Sequence, residues 1–369
     1  MKPARFFLLG LLLALGAGAA LGSEPKDATE SFRKLRQAAE QGEANAQYHL
    51  GNLYFNGAGV PQDRTEAASW YRRAAEQGHP IAQYGLGLLL LQGLGVAANP
   101  AEAAKWLRLA AGQGDPNAQR NLGLLYASGH GVARDPVEAV KWFRLAAELG
   151  HAEAQSNLGG AYYRGEGVAR DNAEALKWFR LAANQGDPTG QFNLGVLYTL
   201  GQGVAPNRVE AARWYRKAAE QGDLNAAYNL GKLYGGDAGG VPDPAAAAKW
   251  IRLAAEQGHP AAESDLGTLY AHGTGVPPDA AEAVKWYRKA AEHGNPIGQY
   301  NLGLRFADGD GVPQDPVEGL AWVEAAAALG DETFILKRDL MQSRLGATAA
   351  AAARLRAGQI RQALAAAKH

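Results

Sequence analysis

Apolar residues recur along this chain at the spacing of an amphipathic helix, in pairs of short segments. In residues 82–117, Ala82, Leu86 and Leu89 lie at i, i+4 and i+7. Such a stripe occupies one face of a helix with about 3.6 residues per turn. After a glycine-rich turn the same spacing returns in residues 103–111. The pattern therefore predicts helical hairpins, whose first and second helices we call helix A and helix B.

The hairpins repeat with a constant period. Each tryptophan lies 36 residues from the next: Trp70, Trp106, Trp142, Trp178, Trp214, Trp250, Trp286 and Trp322. The Leu50-Gly51 pair recurs at the same interval. A period between about 20 and 50 residues indicates a stacked-repeat architecture. We expect the tryptophans to form part of the core, since each lies on the apolar stripe of helix B, rather than to line a ligand groove.

The start of each helix also has a sequence signature. Asp63 and Glu66 form an Asx-x-x-Glu capping box before helix B, and seven of the eight repeats carry an equivalent pair. We expect the Asx side chain to accept from backbone N–H groups and the Glu side chain to reach back to the N-cap N–H. Three histidines stand where other repeats have Asp115 or Asn295, which predicts that they begin helix A: His79, His151 and His259.

Composition narrows the class of protein. The 369 residues are 47% hydrophobic and 20% charged, as in folded proteins. Because 37 Lys and Arg balance 37 Asp and Glu, no nucleic-acid partner is implied. The chain has no cysteine, no metal-ligand spacing and no phosphate loop, so we expect no catalytic residues, no metal and no cofactor.

Residues 1–22 have the features of a signal peptide. Lys2 and Arg5 precede an apolar stretch that ends in small residues, with a cleavage site after Gly22. The mature chain would then be periplasmic or secreted and would have no membrane span. An uncleaved membrane anchor is the alternative, although the apolar stretch is shorter than the roughly 20 residues of a spanning helix.

Four motifs together resemble the Sel-one-like repeat, a relative of the tetratricopeptide repeat: Ala-x-x-x-Leu-Gly-x-x-Tyr, Gly-x-Gly-Val, Asp-x-x-Glu-Ala and Trp-[Tyr/Phe]-Arg-x-Ala-Ala-Glu-x-Gly. The resemblance implies an all-α fold, a right-handed α-solenoid superhelix of about eight helix-turn-helix repeats over residues 46–333. It leaves residues 23–45 as an N-terminal capping helix and residues 334–369 as C-terminal capping helices.

The resemblance also implies a function, a scaffold or adaptor of the bacterial periplasm or cell envelope that binds a protein or peptide along a concave face lined by helices A. Candidate partner-binding residues vary between repeats or carry amides: Tyr48, Tyr84, Arg120, Asn121, Asn157, Phe192, Asn193, Tyr228, Asn229, Tyr300 and Asn301. Some of these side chains could instead pack against the next repeat.

Two other functions remain open. An arginine stripe on helices B runs from Arg72 to Arg288, and we interpret it as a solvated face balanced by glutamates four positions later. As an alternative, this stripe could contact envelope polysaccharide or peptidoglycan. A hydrolase such as a β-lactamase is the remote alternative, suggested by cysteine-rich members of the resembling family.

Overall fold

The computed structural model describes residues 25–236 and 242–367, which contain 19 helices and no strand. The predicted signal peptide, residues 1–22, lies outside the described residues. The chain divides into two compact units, Met1–Asp135 and Pro136–His369, which we call unit 1 and unit 2. Even-numbered helices from α2 to α16 are helices A, and odd-numbered helices from α3 to α17 are helices B.

Unit 1 contains six helices: α1 (Pro25–Glu40), α2 (Ala44–Asn56), α3 (Arg64–Glu76), α4 (Pro80–Gln92), α5 (Pro100–Gly112) and α6 (Pro116–Ser128). Helices α2 and α3 form one hairpin, and α4 and α5 form the next. Helix α1 lies within the segment assigned to an N-terminal capping helix and packs against α2.

Unit 2 contains thirteen helices: α7 (Pro136–Glu148), α8 (Ala152–Arg164), α9 (Asn172–Asn184), α10 (Pro188–Leu200), α11 (Arg208–Glu220), α12 (Leu224–Tyr234), α13 (Pro244–Glu256), α14 (Pro260–His272), α15 (Ala280–Glu292), α16 (Pro296–Asp308), α17 (Pro316–Ala327), α18 (Glu332–Leu345) and α19 (Ala347–Ala366). Each helix from α8 onward packs on its sequence neighbour, and α17 also contacts α19. Both units are therefore helical solenoids built from stacked hairpins.

The core consists of leucines on helices A and alanines and aromatic residues on helices B. Leu194 is fully buried, and Phe179 is 1% exposed. Four tryptophans are buried, namely Trp70, Trp214, Trp286 and Trp322, whereas the other four are half-buried. The prediction of a core role is confirmed for the four buried tryptophans, and the four half-buried ones lie at the edge of the core.

Glycine at two repeated positions permits close packing. A Cβ atom on Gly195, in the Leu-Gly pair of α10, would lie 2.7 Å from the ring of Tyr215 on α11. Gly167, in the turn between α8 and α9, has a φ of 74° and would overlap the carbonyl of Pro136 if it carried a Cβ atom. The glycine-rich turn is thus required by its contact with the preceding helix B as well as by its own backbone conformation.

The capping box is confirmed in one half and wrong in the other. The Asp171 side chain accepts from the backbone N–H groups of Ala173 and Glu174, as predicted. However, the Asp171 N–H donates to the carbonyl of Tyr162, 3.0 Å away on helix A. Because the turn already satisfies this donor, the Glu174 side chain instead accepts from Nε1 of Trp178 at 3.1 Å.

Buried glutamines join consecutive repeats, and the sequence analysis did not identify them. Gln191 on α10 donates through Nε2 to the carbonyl of Ala183 on α9, and Gln221 donates to Oε1 of Gln191 at 2.8 Å. The equivalent buried residues are Gln47, Gln83, Gln119, Gln155, Glu263 and Gln299. A polar side chain at this depth requires a partner, so these bonds help to fix one repeat on the next.

The histidines predicted to begin helices A do so. Nδ1 of His79 accepts from the N–H of Ala82 at 3.2 Å, and Nδ1 of His259 accepts from the N–H of Ala262 at 3.1 Å. His151 caps α8 in the same way. An imidazole accepts through Nδ1 only while that nitrogen carries no proton. Burial lowers the pKa of His79 and of His259, which favours this unprotonated form.

These caps predict a loss of stability in mild acid. A histidine whose pKa is lower in the folded chain binds its proton more tightly in the unfolded chain, so its contribution is present above the unfolded pKa of about 6.5 and is lost as the pH falls. Changing His79 and His259 to asparagine, the residue at Asn295, should reduce the drop in the urea midpoint between about pH 7.5 and 5.5. An unchanged drop in the double variant would contradict this role.

Helix α19 covers the last helix B of unit 2. Ala353, Ala357 and Ile360 are buried in the same cluster as residues of α17, and Arg356 pairs with Glu318 at 2.8 Å. Glu324 of α17 stands where other repeats carry an arginine, and burial raises the pKa of its carboxyl. The final helix thus encloses a position that lies at the surface in earlier repeats.

Candidate functional site

Several of the predicted partner-binding aromatic residues pack against the following repeat. The Tyr48 ring stacks on His79, and the Tyr228 ring stacks on His259, each with ring centroids 4.8 Å apart. Tyr300 stacks on Phe334 of α18, and burial raises the pKa of the Tyr300 phenol. All of these rings are half-buried, so one face of each is engaged within the solenoid.

The remaining predicted residues of that row, Phe192, Arg120 and Tyr84, also make contacts within the solenoid. Phe192 lies 5.9 Å from the ring of Tyr215, and Arg120 is half-buried with Nη1 3.3 Å from Oδ1 of Asn121. Asn121 in turn donates to the hydroxyl of Tyr84 at 3.4 Å. The Asn121–Tyr84 bond therefore joins two repeats, whereas Phe192 packs on helix B of its own hairpin. The exposed edges of the row are the part that remains open to a partner.

The asparagine row lies closer to the surface. Asn193 is half-buried and donates to the carbonyl of Thr189 at 2.8 Å, one turn earlier in α10. Asn157, Asn229 and Asn301 are half-buried at the equivalent positions of α8, α12 and α16. In the seventh repeat Asp265 replaces the amide and accepts from the hydroxyl of Tyr228 at 3.0 Å. From Asn121 onward each repeat thus has a polar residue at this position. Asn193 is held within its own helix, whereas Asn121 and Asp265 bond to a tyrosine of the preceding repeat.

Exposed positions beside the asparagines were missed by the sequence analysis. The positions four before, three after and seven after each asparagine lie on the same side of helix A, because residues three or four apart are neighbours on a helix surface. We call this surface the helix A face. In α8 and α10 its exposed members are Glu153, Arg164, Thr189 and Leu200, its half-buried members are Asn157, Asn193 and Val196, and Gly160 is buried. The sequence contained a signal for these positions, because their residues also differ from one repeat to the next.

The helix A face is polar with isolated apolar residues. Leu200 is 57% exposed at the end of α10, and Ile81 is 48% exposed at the start of α4. Its charges are largely paired within unit 2, with Arg164 3.0 Å from Glu166 and Lys232 3.3 Å from Asp265. Amides, paired charges and single apolar side chains are suited to contact with a polypeptide.

The sequence model of the Sel1 repeat matches nine consecutive segments, from residues 7–43 and 44–79 through 296–331, each boundary falling at the start of a helix A from α2 onward. The chain belongs to the Sel1 repeat family. The family model matches one segment more than there are tryptophans, because the first segment has no tryptophan. This first segment also overlaps the predicted signal peptide. The recognition of the family from its motifs is confirmed, as is the all-α solenoid fold.

The chain is also similar to several solved structures. A Sel1 repeat protein from Oxalobacter formigenes is 35% identical, with a TM-score of 0.65, and the alignment covers 89% of this chain and 98% of that one. A protective antigen of uropathogenic Escherichia coli with an SLR fold is 30% identical, with a TM-score of 0.43 and coverage of 91% and 97%. The immunity protein Pa5087 of Pseudomonas aeruginosa is 21% identical, with a TM-score of 0.37 and coverage of 69% and 82%. A comparison with curated proteins found no match.

The arginine stripe of these Sel1 repeats is held by tyrosines of the next helix A. Arg144 donates to the hydroxyl of Tyr162 at 2.8 Å, and Arg252 donates to Tyr270 at 2.9 Å. The pairs Arg108–Tyr126, Arg180–Tyr198 and Arg216–Tyr234 are equivalent. The structure thus shows a contact with the next helix A that the spacing within one helix did not predict, and balance by the glutamates four positions later stays a prediction.

Arg72 differs, because the next helix A, α4, has Leu90 at the position that the tyrosine occupies in later repeats. Its Nη1 lies 2.6 Å from Oε1 of Glu102 instead, and this hydrogen bond lowers the pKa of the Glu102 carboxyl. The stripe therefore links helix B to the following repeat through a phenol or, at Arg72, through a carboxylate. Arg288 instead lies over the Phe306 ring, 5.4 Å from its centroid.

Sel1 repeats generally form non-enzymatic scaffolds. Over residues 25–236 and 242–367, no cluster of three or more His, Asp or Glu side chains has the arrangement of a metal site. No described helix has the length and apolar character needed to cross a membrane. Ser31 and Lys34 have the Ser-x-x-Lys spacing of serine hydrolases, but both are exposed on α1 and Lys34 pairs with Glu30 at 2.7 Å.

Proposed function

We propose that this chain is a non-catalytic scaffold or adaptor that holds a partner protein along the helix A face. One observation carries the proposal. Each helix A has a fixed side that is buried against its neighbours and an exposed stripe whose residues change from repeat to repeat. In a family that generally acts through protein–protein interaction, the changing stripe is where partner choice can be encoded without loss of the fold.

The amide row favours an extended segment of the partner. Asn157, Asn193 and Asn229 repeat once per hairpin, and a side-chain amide can donate to and accept from a peptide backbone at the same time. The apolar residues beside them, such as Val196 and Leu200, would contact single side chains of the partner. This arrangement supports recognition of a polypeptide more than of a small molecule.

The proposed location is the bacterial periplasm or cell envelope, by export through residues 1–22. That segment has the basic, apolar and small-residue order of a signal peptide. The alternative contact with envelope polysaccharide or peptidoglycan would use the arginine stripe, where guanidinium groups such as that of Arg180 remain exposed. Salt-sensitive binding to purified envelope polymers would favour that alternative.

The helix A face is tested by changing Val196 to arginine and Leu200 to glutamate together. Leu200 is 57% exposed and Val196 is half-buried at the edge of a core cluster, so the variant should retain the helical circular dichroism of the wild-type chain. The affinity for a partner should fall at least tenfold, about 1.4 kcal/mol. Tagged chains are used to capture partners from the native envelope, and the affinity of each captured protein is then measured by titration calorimetry. Val209→Glu is the matched control, because Val209 is 79% exposed on a helix B.

Equal affinity of the wild-type chain and of V196R/L200E would contradict the assignment of the helix A face. Loss of affinity in V209E with retention in V196R/L200E would transfer the binding surface to helices B. Recovery of envelope polymer in place of protein, with binding that weakens as salt is added, would replace the scaffold proposal by the polymer alternative.

A further inference from the structure

Helices B from α3 to α15 are of two kinds, which differ three residues after the tryptophan. In one kind a cation lies over the indole ring: Arg73 over Trp70 at 4.4 Å, Lys217 over Trp214 at 4.4 Å and Lys289 over Trp286 at 4.2 Å from the ring centroid. Each of these tryptophans is 7% exposed. The aliphatic stem of a lysine or arginine covers apolar surface while its charge stays in water.

In the other kind the cation is replaced by leucine, and apolar surface stays uncovered. Leu145 on α7 is 44% exposed and Leu181 on α9 is 42% exposed, and the tryptophans that precede them, Trp142 and Trp178, are half-buried. On α13, another helix of this kind, Trp250 and Leu253 line a pocket of about 400 Å³. The residue three positions after the tryptophan therefore shields the indole in the first kind, whereas on α7 and α9 that residue is an exposed leucine. On α9 a cation still lies over the indole, because Nζ of Lys177 is 5.3 Å from the ring centroid of Trp178.

Two leucine-type helices follow one another in unit 2. Both α7 and α9 pack against α8, and Leu149, just after α7, is 61% exposed. We call Leu145, Leu149 and Leu181 the outer leucine patch. Leu145 and Leu149 are four residues apart, and Leu181 holds the position of Leu145 on the next helix B. Contiguous exposed apolar surface indicates an interaction site, whereas single exposed residues do not.

Two arginines, Arg144 and Arg180, and one acid, Glu148, lie beside this patch, so its net charge is positive. Arg144 and Arg180 each precede a leucine of the patch and donate to neutral phenols, Tyr162 at 2.8 Å and Tyr198 at 3.2 Å. A phenol orients a guanidinium group without neutralising it. Lysines nearby are already paired, with Lys141 2.7 Å from Glu138. Over the helices B from α7 to α15, thirteen lysines and arginines stand against eight glutamates.

We propose that the outer leucine patch docks an amphipathic helical segment of a protein partner. The apolar side of that segment covers Leu145, Leu149 and Leu181, and its acidic side chains face Arg144 and Arg180. Exposed Glu148 lies among the leucines, which suits a discrete segment with its own basic or polar residue at that point and disfavours a uniformly anionic bilayer. This surface is separate from the helix A face and gives the scaffold a second contact.

The test uses the full mature chain and synthetic peptides as probes. The first peptide is a fluorescein-labelled helix of about five turns with leucine on one side and glutamate on the other. The second has the same composition in scrambled order, and the third has lysine in place of glutamate. Fluorescence anisotropy should show binding of the first peptide alone, weakened by added salt.

Three variants locate the contact. Leu145→Gln with Leu181→Gln should weaken binding at least tenfold, and both changes place a good helix former at an exposed position. Arg144→Gln with Arg180→Gln should weaken it and reduce its salt dependence. Lys217→Leu, which uncovers Trp214 on the next helix B, should strengthen it. Leu200→Gln on the helix A face is the control and should leave it unchanged.

Several results would overturn the proposal. They are equal binding of the scrambled or lysine peptide, unchanged affinity of L145Q/L181Q, and binding of phosphatidylglycerol vesicles without binding of the first peptide. A dimer of the wild-type chain that disappears in L145Q/L181Q, seen by sedimentation equilibrium, would assign the patch to a second copy instead. Failure of V196R/L200E to lose its partner would leave this proposal intact, because that variant lies on the other face.

Discussion

Replacing Phe179 with alanine should lower the free energy of unfolding by about 3–5 kcal/mol, the range for a large aromatic residue removed from a core. Phe179 is 1% exposed on α9 and clusters with Leu194 of α10 and Trp214 of α11. A Cβ atom on Gly159 of α8 would lie only 2.9 Å from its ring. The ring thus fills the space between consecutive hairpins, and no nearby side chain can take its place without moving the backbone.

Urea unfolding followed by circular dichroism at the helical minimum measures this loss. In a repeat array each hairpin is stabilised by its neighbours, so removal of one interface residue should also broaden the transition as the repeats on either side become less coupled. Leu181→Ala, two residues later on α9 and 42% exposed, is the matched control and should change the stability by less than about 1 kcal/mol. Similar losses in the two variants would contradict the core role of Phe179.

His293→Ala should cost about 1–3 kcal/mol by leaving a buried carboxyl group without its partner. Nδ1 of His293 lies 2.7 Å from Oε2 of Glu263, and Glu263 is 1% exposed on α14. Other repeats place two glutamines here, as in Gln191 with Gln221. The Glu263–His293 pair is therefore a polar link that stands in for an amide pair. The buried Glu263 carboxyl depends on it more than the His293 ring, which is 49% exposed.

The double variant Glu263→Gln/His293→Gln restores the amide pair and should recover the stability lost in His293→Ala. The amide introduced in place of the Glu263 carboxyl would supply a donor for the Ala255 carbonyl, which is equivalent to the Ala183 carbonyl that accepts from Gln191. A double-mutant cycle with alanine at both positions should give a coupling free energy of at least about 0.5 kcal/mol. Additive losses would show that the two side chains act independently.

Much of the fold was predictable because each repeat is specified by local contacts. The period of the tryptophans, the N-cap role of Asp171 and the helix-start role of His79 follow from interactions within a few residues of sequence. The same short-range pattern recurs in every hairpin, so errors in reading one repeat are corrected by the others. Membership in the Sel1 repeat family was recognisable for the same reason.

The candidate site was less predictable, because its residues are distinguished by what the next repeat covers. Tyr48 and Tyr228 vary like recognition residues but stack on the histidines of the following helix A. Glu174 has the spacing of a capping box but accepts from an indole, since the turn has already bonded the N-cap N–H. Both outcomes depend on another helix: the histidines lie on the following helix A, and the Tyr162 carbonyl that bonds the N-cap N–H lies on the preceding helix A.

The sequence by itself determined the helices, their caps and their order, since these depend on hydrogen bonds and apolar stripes within a short stretch of chain. Only the tertiary structure decided which surface residues remain open, such as Leu200 and Leu145, and which are used between hairpins, such as Tyr300. The physical reason is that stacking brings together residues about one repeat apart, and the geometry of that contact is set by how closely the helices approach.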